Sequence, residues 1–185
     1  VERHTIDSRL DLSSYDEAEG FAGVLAEQER AGIRYDTVAT DHSEVRLEQL
    51  YTLYTRVRPT FPGVEPGSPP LPYEQWRESL VSAYQDKWDL VTVALAGEQV
   101  VGITRMEEED SPEVLYTPHT SIDPDYRGRK VGLGLKLYAT RVAQQRGAKL
   151  LTTNNDADNH PILAINRKMG YRPTAEWLFM GKTLA

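Results

Sequence analysis

The chain has 185 residues, 39% of them apolar and 26% charged, a composition that suits one globular domain rather than a disordered segment. A net charge of -7 disfavours a coat for nucleic acid or an anionic membrane surface. The absence of cysteine removes disulfides, cysteine-ligated zinc, iron–sulfur clusters and thiol nucleophiles. No apolar run approaches the roughly 20 residues of a membrane span and nothing at the start reads as a signal peptide, so a cytoplasmic protein is expected. The chain opens at Val1 rather than Met, which suggests a fragment of something longer.

In chain order, partial alternation over residues 1–14 predicts a short strand, and helical spacing of Phe21, Val24, Leu25 and Gln28 predicts a helix from Tyr15 to Ala31, stopped by Gly32. Ile33–Thr40 alternates as a strand. Asp41 or Ser43 then caps a helix whose apolar stripe runs from Val45 to Val57. Pro59–Pro72 holds six of the eleven prolines and two glycines, so it is an ordered loop or lid. A helix follows from Tyr73 to about Tyr84, then a hairpin of Asp89–Ala96 and Gln99–Met106 across Gly97–Glu98. A strand at Val114–Ile122 runs into the turn Asp123-Pro124-Asp125-Tyr126. A long helix is expected over about Gly128–Gln145, a strand at Lys149–Thr153, a helix at Pro161–Met169 and a final strand at Trp177–Leu184. Antiparallel strands followed by βα units imply a mixed α/β (α+β) sheet with helices on both faces.

Charge is unevenly placed. From Arg127 to Asn155 there are seven basic residues and no acid, leaving 14 basic against 28 acidic residues elsewhere. The run begins at a glycine-rich helix start directly after a strand. Helix N-termini carry unpaired N–H groups and about half a positive charge, so the segment Arg127, Gly128, Arg129, Lys130, Val131, Gly132, Leu133, Gly134 reads as a polyphosphate site. It is no P-loop, because Leu133 stands where the second glycine belongs, and no dinucleotide fingerprint, because Leu137 replaces its third glycine.

These residues resemble the coenzyme A-binding motif of the GNAT N-acetyltransferases, in which a strand ends in a turn and Gln/Arg-x-x-Gly-x-Gly/Ala opens a helix. Counted from the strand, Arg127, Lys130 and Gly132 fill the motif, with Lys130 departing from glycine; shifted by two, Arg129, Gly132 and Gly134 match fully but the turn is too long. A second landmark, Asn159-His160-Pro161-Ile162-Leu163-Ala164-Ile165-Asn166-Arg167-Lys168-Met169-Gly170-Tyr171, resembles the family's Asn at a helix start and Gly-Phe/Tyr at its end; Asn159 also reads as a plain N-cap and Gly170 as a C-cap. The resemblance covers about residues 33–185. Residues 1–32 then look like a strand and linking helix left from an upstream domain, as in the C-terminal half of a tandem-GNAT protein; an upstream GNAT domain or a homodimer is the implied partner.

The resemblance implies a GNAT-like, mostly antiparallel sheet and transfer of an acetyl group from acetyl-CoA to a small-molecule amine in a ternary complex, with no metal, nucleic acid or membrane involved. It places the cofactor on Arg127 to Gly134, on the strand end at Thr120, Ser121 and Ile122, and on Asn159 and Asn166. The family's customary base positions hold Tyr116 and Pro118, and the position of its thiolate-protonating tyrosine holds Asn166. Tyr116 is therefore the candidate acid, or a packing aromatic. His119 falls on the opposite face by strand alternation and reads as structural, and Asn166 bonds cofactor or acceptor unless it is an exposed helix residue. The acceptor wall is expected from Arg56 to Trp76, with Arg56 and Arg58 suited to a carboxylate and Glu65, Glu74 and Glu107–Asp110 to an amine. Competing readings are a catalytically silent GNAT-like domain that binds CoA or a protein partner, and an interaction module without cofactor.

Overall fold

The structure, a computed structural model, describes residues 3–180. Its elements run β1 (Arg3–Asp11), α1 (Ala18–Phe21), α2 (Val24–Arg30), β2 (Ile33–Thr37), α3 (Glu44–Val57), α4 (Tyr73–Tyr84) and the hairpin β3 (Val91–Ala96) and β4 (Gln99–Glu108). They continue with β5 (Val114–Ile122), α5 (Val131–Gln145), β6 (Leu150–Asp156), α6 (His160–Lys168) and β7 (Arg172–Phe179). The parts of the expected terminal strands at Val1 and at 181–184 lie outside the described residues.

Three departures from the expected elements have local causes. The helix expected from Tyr15 to Ala31 is two short helices, with Gly23 at φ 83° in the left-handed region breaking the chain between them. Helix α5 starts at Val131 rather than Gly128, since Gly128 (φ 74°) and Lys130 (φ 63°) both precede it in that region. Strand β7 begins five residues earlier than expected, at Arg172; it is an edge strand, the place in a sheet where a proline such as Pro173 is tolerated.

The sheet has seven strands in the order β2-β3-β4-β5-β6-β1-β7, and every neighbouring pair is antiparallel except β5 with β6. Strand β1 lies inside this sheet: Thr5–Asp11 pairs with Leu150–Asp156 on one side and Arg3–Arg9 with Arg172–Phe179 on the other. Helices α3 and α4 cover one face over β4 and β5, while α5 and α6 lie on the other, with α2 packed against α5. Ser43 caps α3, its Oγ accepting from the Arg46 N–H, and Leu47, Leu50, Leu53 and Val57 turn inward, whereas Val45, expected to open the stripe, is exposed in the first turn. Leu135 and Leu137 of α5 are likewise fully buried. Burial of these apolar faces, at roughly 25 cal/mol per Å², fixes the helices on the sheet. No helix of the described residues is long and apolar enough to cross a membrane.

Candidate active site

The site starts where the sheet splits. Strands β5 and β6 pair only from Val114–Tyr116 with Leu150–Thr152. The Thr153 hydroxyl then donates to the Thr117 carbonyl at 3.0 Å, and beyond it the strands part. Each finds another neighbour: His119–Ile122 stays with β4 and Asn154–Asp156 with β1. One edge of β5 is thereby freed over residues 118–122 while its other edge remains paired, leaving main-chain groups for a ligand in the V.

Helix α5 begins beside this V. Its first helical bond, Gly134 N–H to the Lys130 carbonyl, leaves the N–H groups of Val131, Gly132 and Leu133 ahead of it. Gly132 is the contact point between elements: a Cβ there would sit 3.6 Å from Ile165 of α6 and 3.7 Å from Ile122 of β5, an ordinary contact. Gly134 has a different reason to be glycine, since a Cβ would lie 2.1 Å from the Tyr35 hydroxyl. The Val131 side chain is buried in the same small core as Tyr35. Arg127, Gly128, Arg129 and Lys130 are all exposed, and the left-handed φ of Lys130 stands where the family motif has glycine. A lysine in that conformation costs roughly 1–2 kcal/mol, which is held here by the surrounding turn. That turn is pinned from outside: buried Asp123 accepts from the Asp125 N–H at 3.0 Å and pairs with Arg56 at 3.0 Å.

The basic run is not a free positive face. Arg141 pairs with Glu17, Arg146 with Asp89 and Glu108, Lys149 with Glu113 and Lys130 with Glu27. Lys136 is buried with its ammonium 4.6 Å from the Tyr171 ring centre, and burial pushes its pKa down to about 8. Arg127 and Arg129 at the helix start make no ion pair among the described residues, Arg129 lying over the Tyr126 ring at 5.1 Å. The anion-attracting charge is thus concentrated at the start of α5.

Asn159 caps α6, its Oδ1 accepting from the Ile162 N–H at 3.4 Å. Asn166 is 2% exposed, which excludes the exposed-residue alternative. Its Nδ2 donates to Asn155 Oδ1 at 2.8 Å, while its own Oδ1 is buried without a hydrogen-bond partner among the described residues. Such an orphan acceptor costs about 1–3 kcal/mol unless a ligand or water supplies a donor.

On the α3/α4 face, one irregularity changes the expected geometry. Glu107 pairs with Tyr116 and Arg105 with His119, so Met106 opposes two residues, Thr117 and Pro118. This β-bulge accommodates Pro118 and resets the alternation. His119 therefore lies on the same face as Tyr116, not the opposite one. It enters a pocket of about 220 Å³ lined by Tyr54, Phe61, Trp76, Ile103 and Arg105, with its ring edge-on to Phe61 at 4.6 Å and its Nε2 2.8 Å from Ser121 Oγ. Burial, then repulsion from Arg105, pushes the His119 pKa down to about 4, so the ring is neutral at pH 7. Tyr116 is raised above the usual phenol value by burial, then by Asp7, Glu107 and Glu109. Thr120 faces the other way, its Oγ1 2.7 Å from Thr104 Oγ1.

Other acceptor-side expectations change. Arg56 is engaged by Asp123 and Asp125, and Arg58 donates to the Ser68 carbonyl at 2.7 Å, so neither waits for a substrate carboxylate. Glu108 is paired with Lys87 and Arg146, and Glu109 accepts from Thr152, which makes that acidic run a set of cross-links. Asp7 of β1 was not anticipated. Its carboxylate accepts from Asn154 Nδ2 and Trp177 Nε1, both at 2.6 Å. No sequence signal points to Asp7 or Arg105, because both depend on strand placement and the bulge. Among the described residues no cluster of three His, Asp or Glu could hold a metal ion.

A mixed sheet splits between its two parallel strands, and an exposed cationic helix start stands at the split. The profile of the acetyltransferase (GNAT) family matches residues 47–171, and the chain belongs to that family. Among solved structures it is similar to a GCN5-related N-acetyltransferase from Sphaerobacter thermophilus, at 17% identity and TM-score 0.66 over 94% of this chain and 49% of that one. It is also similar to a tandem GNAT protein from the clavulanic acid biosynthesis pathway, at 21% identity and TM-score 0.64 over 95% of this chain and 51% of that one. AAC(6')-Iy in complex with the bisubstrate analog CoA-S-monomethyl-acetylneamine aligns at 17% identity and TM-score 0.58, over 82% of this chain and 99% of that one. At these identities the likeness concerns the fold, and the chain spans about half the length of the Sphaerobacter and tandem GNAT structures. No curated protein matches the sequence.

Proposed function

We propose that this domain transfers an acetyl group from acetyl-CoA to the amine of a small molecule, directly, with both substrates bound. The observation that carries the reading is the meeting of the split strand edge and the exposed cationic start of α5 at Gly132, which touches Ile122 of β5 and Ile165 of α6. Arg127, Arg129 and Lys130 with the N–H groups of Val131–Leu133 suit the cofactor's phosphates. The freed edge of β5 at Thr120–Ile122 suits its amides, and the family resemblance assigns Asn159 and Asn166 to the same cofactor. When bound, acetyl-CoA supplies an acetyl group activated as a thioester. A main-chain N–H of the β5 edge would meet the carbonyl oxygen where negative charge grows. Tyr116, kept protonated by its raised pKa, would return a proton to the departing thiolate, and the amine would lose its proton through water. A chain without cysteine has no thiol to carry the acetyl group, which fits direct transfer.

The amino acids at the customary acid and base positions keep a second reading in view, a domain that binds CoA without turnover. Acetyl-CoA titration by calorimetry, followed by a thiol-release screen over amines, separates the two. Arg127→Glu with Lys130→Glu should weaken acetyl-CoA by about tenfold or more, about 1.4 kcal/mol; unchanged affinity sinks the cofactor site. Binding without thiol release for any amine leaves the silent domain. An upstream GNAT domain as partner remains part of the proposal, supported by the tandem GNAT structure of which the chain covers 51%.

A further inference from the structure

Arg105 is singular among the arginines around the acceptor wall. Arg46, Arg56, Arg58 and Arg77 each donate hydrogen bonds to protein oxygens. Arg105 lines the aromatic pocket and has no hydrogen bond or ion pair among the described residues. A half-buried guanidinium with five donors and no acceptor is poised for a carboxylate, which it can grip with two parallel bonds. Apart from Ser79 and His119 the rest of the lining is aromatic or aliphatic, with Trp76, Tyr54 and Phe61 among it, and about 220 Å³ is below the roughly 300 Å³ at which whole-ligand sites begin, so it suits a body the size of one ring. Neutral His119 beside Arg105 adds no second cation.

The opposite charge stands next door. Glu107 lies two residues along β4, roughly 7 Å away by strand rise, and faces the same side, accepting from the Tyr84 hydroxyl at 3.3 Å. Glu107 is also the cross-strand partner of Tyr116. Alternation along β4 thus sets an anion-binding group and a cation-binding group on one face, the bulge on β5 brings His119 to that face beside Arg105, and the cation-binding Glu107 is the one nearer the candidate acid.

We propose that the acceptor is an amino carboxylate with an apolar, preferably aromatic, body, as in a hydrophobic amino acid: the carboxylate on Arg105, the body against Trp76 and Phe61, and the amine toward Glu107 and Tyr116. This names the acceptor class and rests on the acetyl-transfer reading above.

The test compares phenylalanine, phenylalaninamide, phenethylamine and spermidine, each by calorimetric binding and by thiol release with acetyl-CoA. Phenylalanine should exceed its amide and phenethylamine by about tenfold or more in affinity and in kcat/KM. Arg105→Met should reduce that ratio to within about twofold while leaving Tm and acetyl-CoA affinity unchanged. Trp76→Ala should weaken all three aromatic ligands and keep the ratio. Failure of phenylalanine to bind, equal or better use of a carboxylate-free amine, or a ratio that survives Arg105→Met overturns the proposal. Because ligand binding needs no turnover, the two readings fail separately. An Arg105-dependent preference without acetyl-CoA binding sinks acetyl transfer and keeps the subsite. Acetyl transfer to spermidine alone does the reverse.

Discussion

Two glycines of α5, two residues apart, should respond to alanine in opposite ways. In Gly134→Ala the new Cβ would lie 2.1, 2.3 and 2.8 Å from the Oη, Cζ and Cε2 atoms of Tyr35, too many ring atoms for a small rotation to clear. Tyr35 is 8% exposed, and its hydroxyl points to Gln28 Oε1 at 3.2 Å and the Val131 carbonyl at 3.3 Å. Displacing it combines overpacking of about 1–3 kcal/mol with loss of about 1 kcal/mol of hydrogen bonding, offset by about 1 kcal/mol of helix propensity. The net is about 1–3 kcal/mol of destabilisation, or a Tm lower by roughly 2–12 °C for a domain of this size. In Gly132→Ala the Cβ meets Ile165 and Ile122 at 3.6–3.8 Å, so the fold accepts it and Tm should hold or rise. Its methyl group would nevertheless stand at the junction of β5, α5 and α6, and acetyl-CoA affinity should fall about tenfold. Differential scanning fluorimetry and calorimetric titration on both variants make the check. A Gly134→Ala protein as stable as the parent would refute the packing argument. A Gly132→Ala protein with full affinity would refute the approach of cofactor to that backbone.

Tyr116→Phe should lower kcat by about ten- to a hundredfold and leave acetyl-CoA affinity within about twofold, read from steady-state kinetics and calorimetry; parental turnover would make Tyr116 a packing aromatic. In the parent, the rate should rise with pH as free amine increases, because the raised Tyr116 pKa keeps the acid protonated through neutrality. His119 predicts a stability profile: its pKa falls from 6.5 unfolded to about 4 folded, so the unfolded chain binds more protons between those values. Its contribution is complete above pH 6.5 and declines toward pH 4, by about 3 kcal/mol in all. Chemical denaturation of His119→Gln should show a flatter curve over that window, and parallel curves would remove His119 from the acid response.

What the amino-acid order determined by itself was local. The stripe over Val45–Val57 apart from its exposed first residue, the Ser43 cap, the hairpin at Gly97–Glu98 and the basic turn before α5 all depend on neighbours within a few residues, and each was legible. The two motifs that mark the family are local in the same sense. Tertiary structure decided the rest, because it depends on which distant segments share the sheet. Nothing in residues 3–11 indicates that they lie between β6 and β7, where Asp7 reaches Asn154 and Trp177. The run from Arg127 to Asn155 read as unbalanced charge, yet its arginines and lysines are mostly matched by acids from α2, β4 and the turns. The bulge at Thr117–Pro118 is the clearest case. Strict alternation sends His119 away from Tyr116, but one extra residue against Met106 returns it to the same face and brings it beside Arg105. A strand's period of two is a local rule, and whether a residue is left over in the pairing is settled only by the register between two strands.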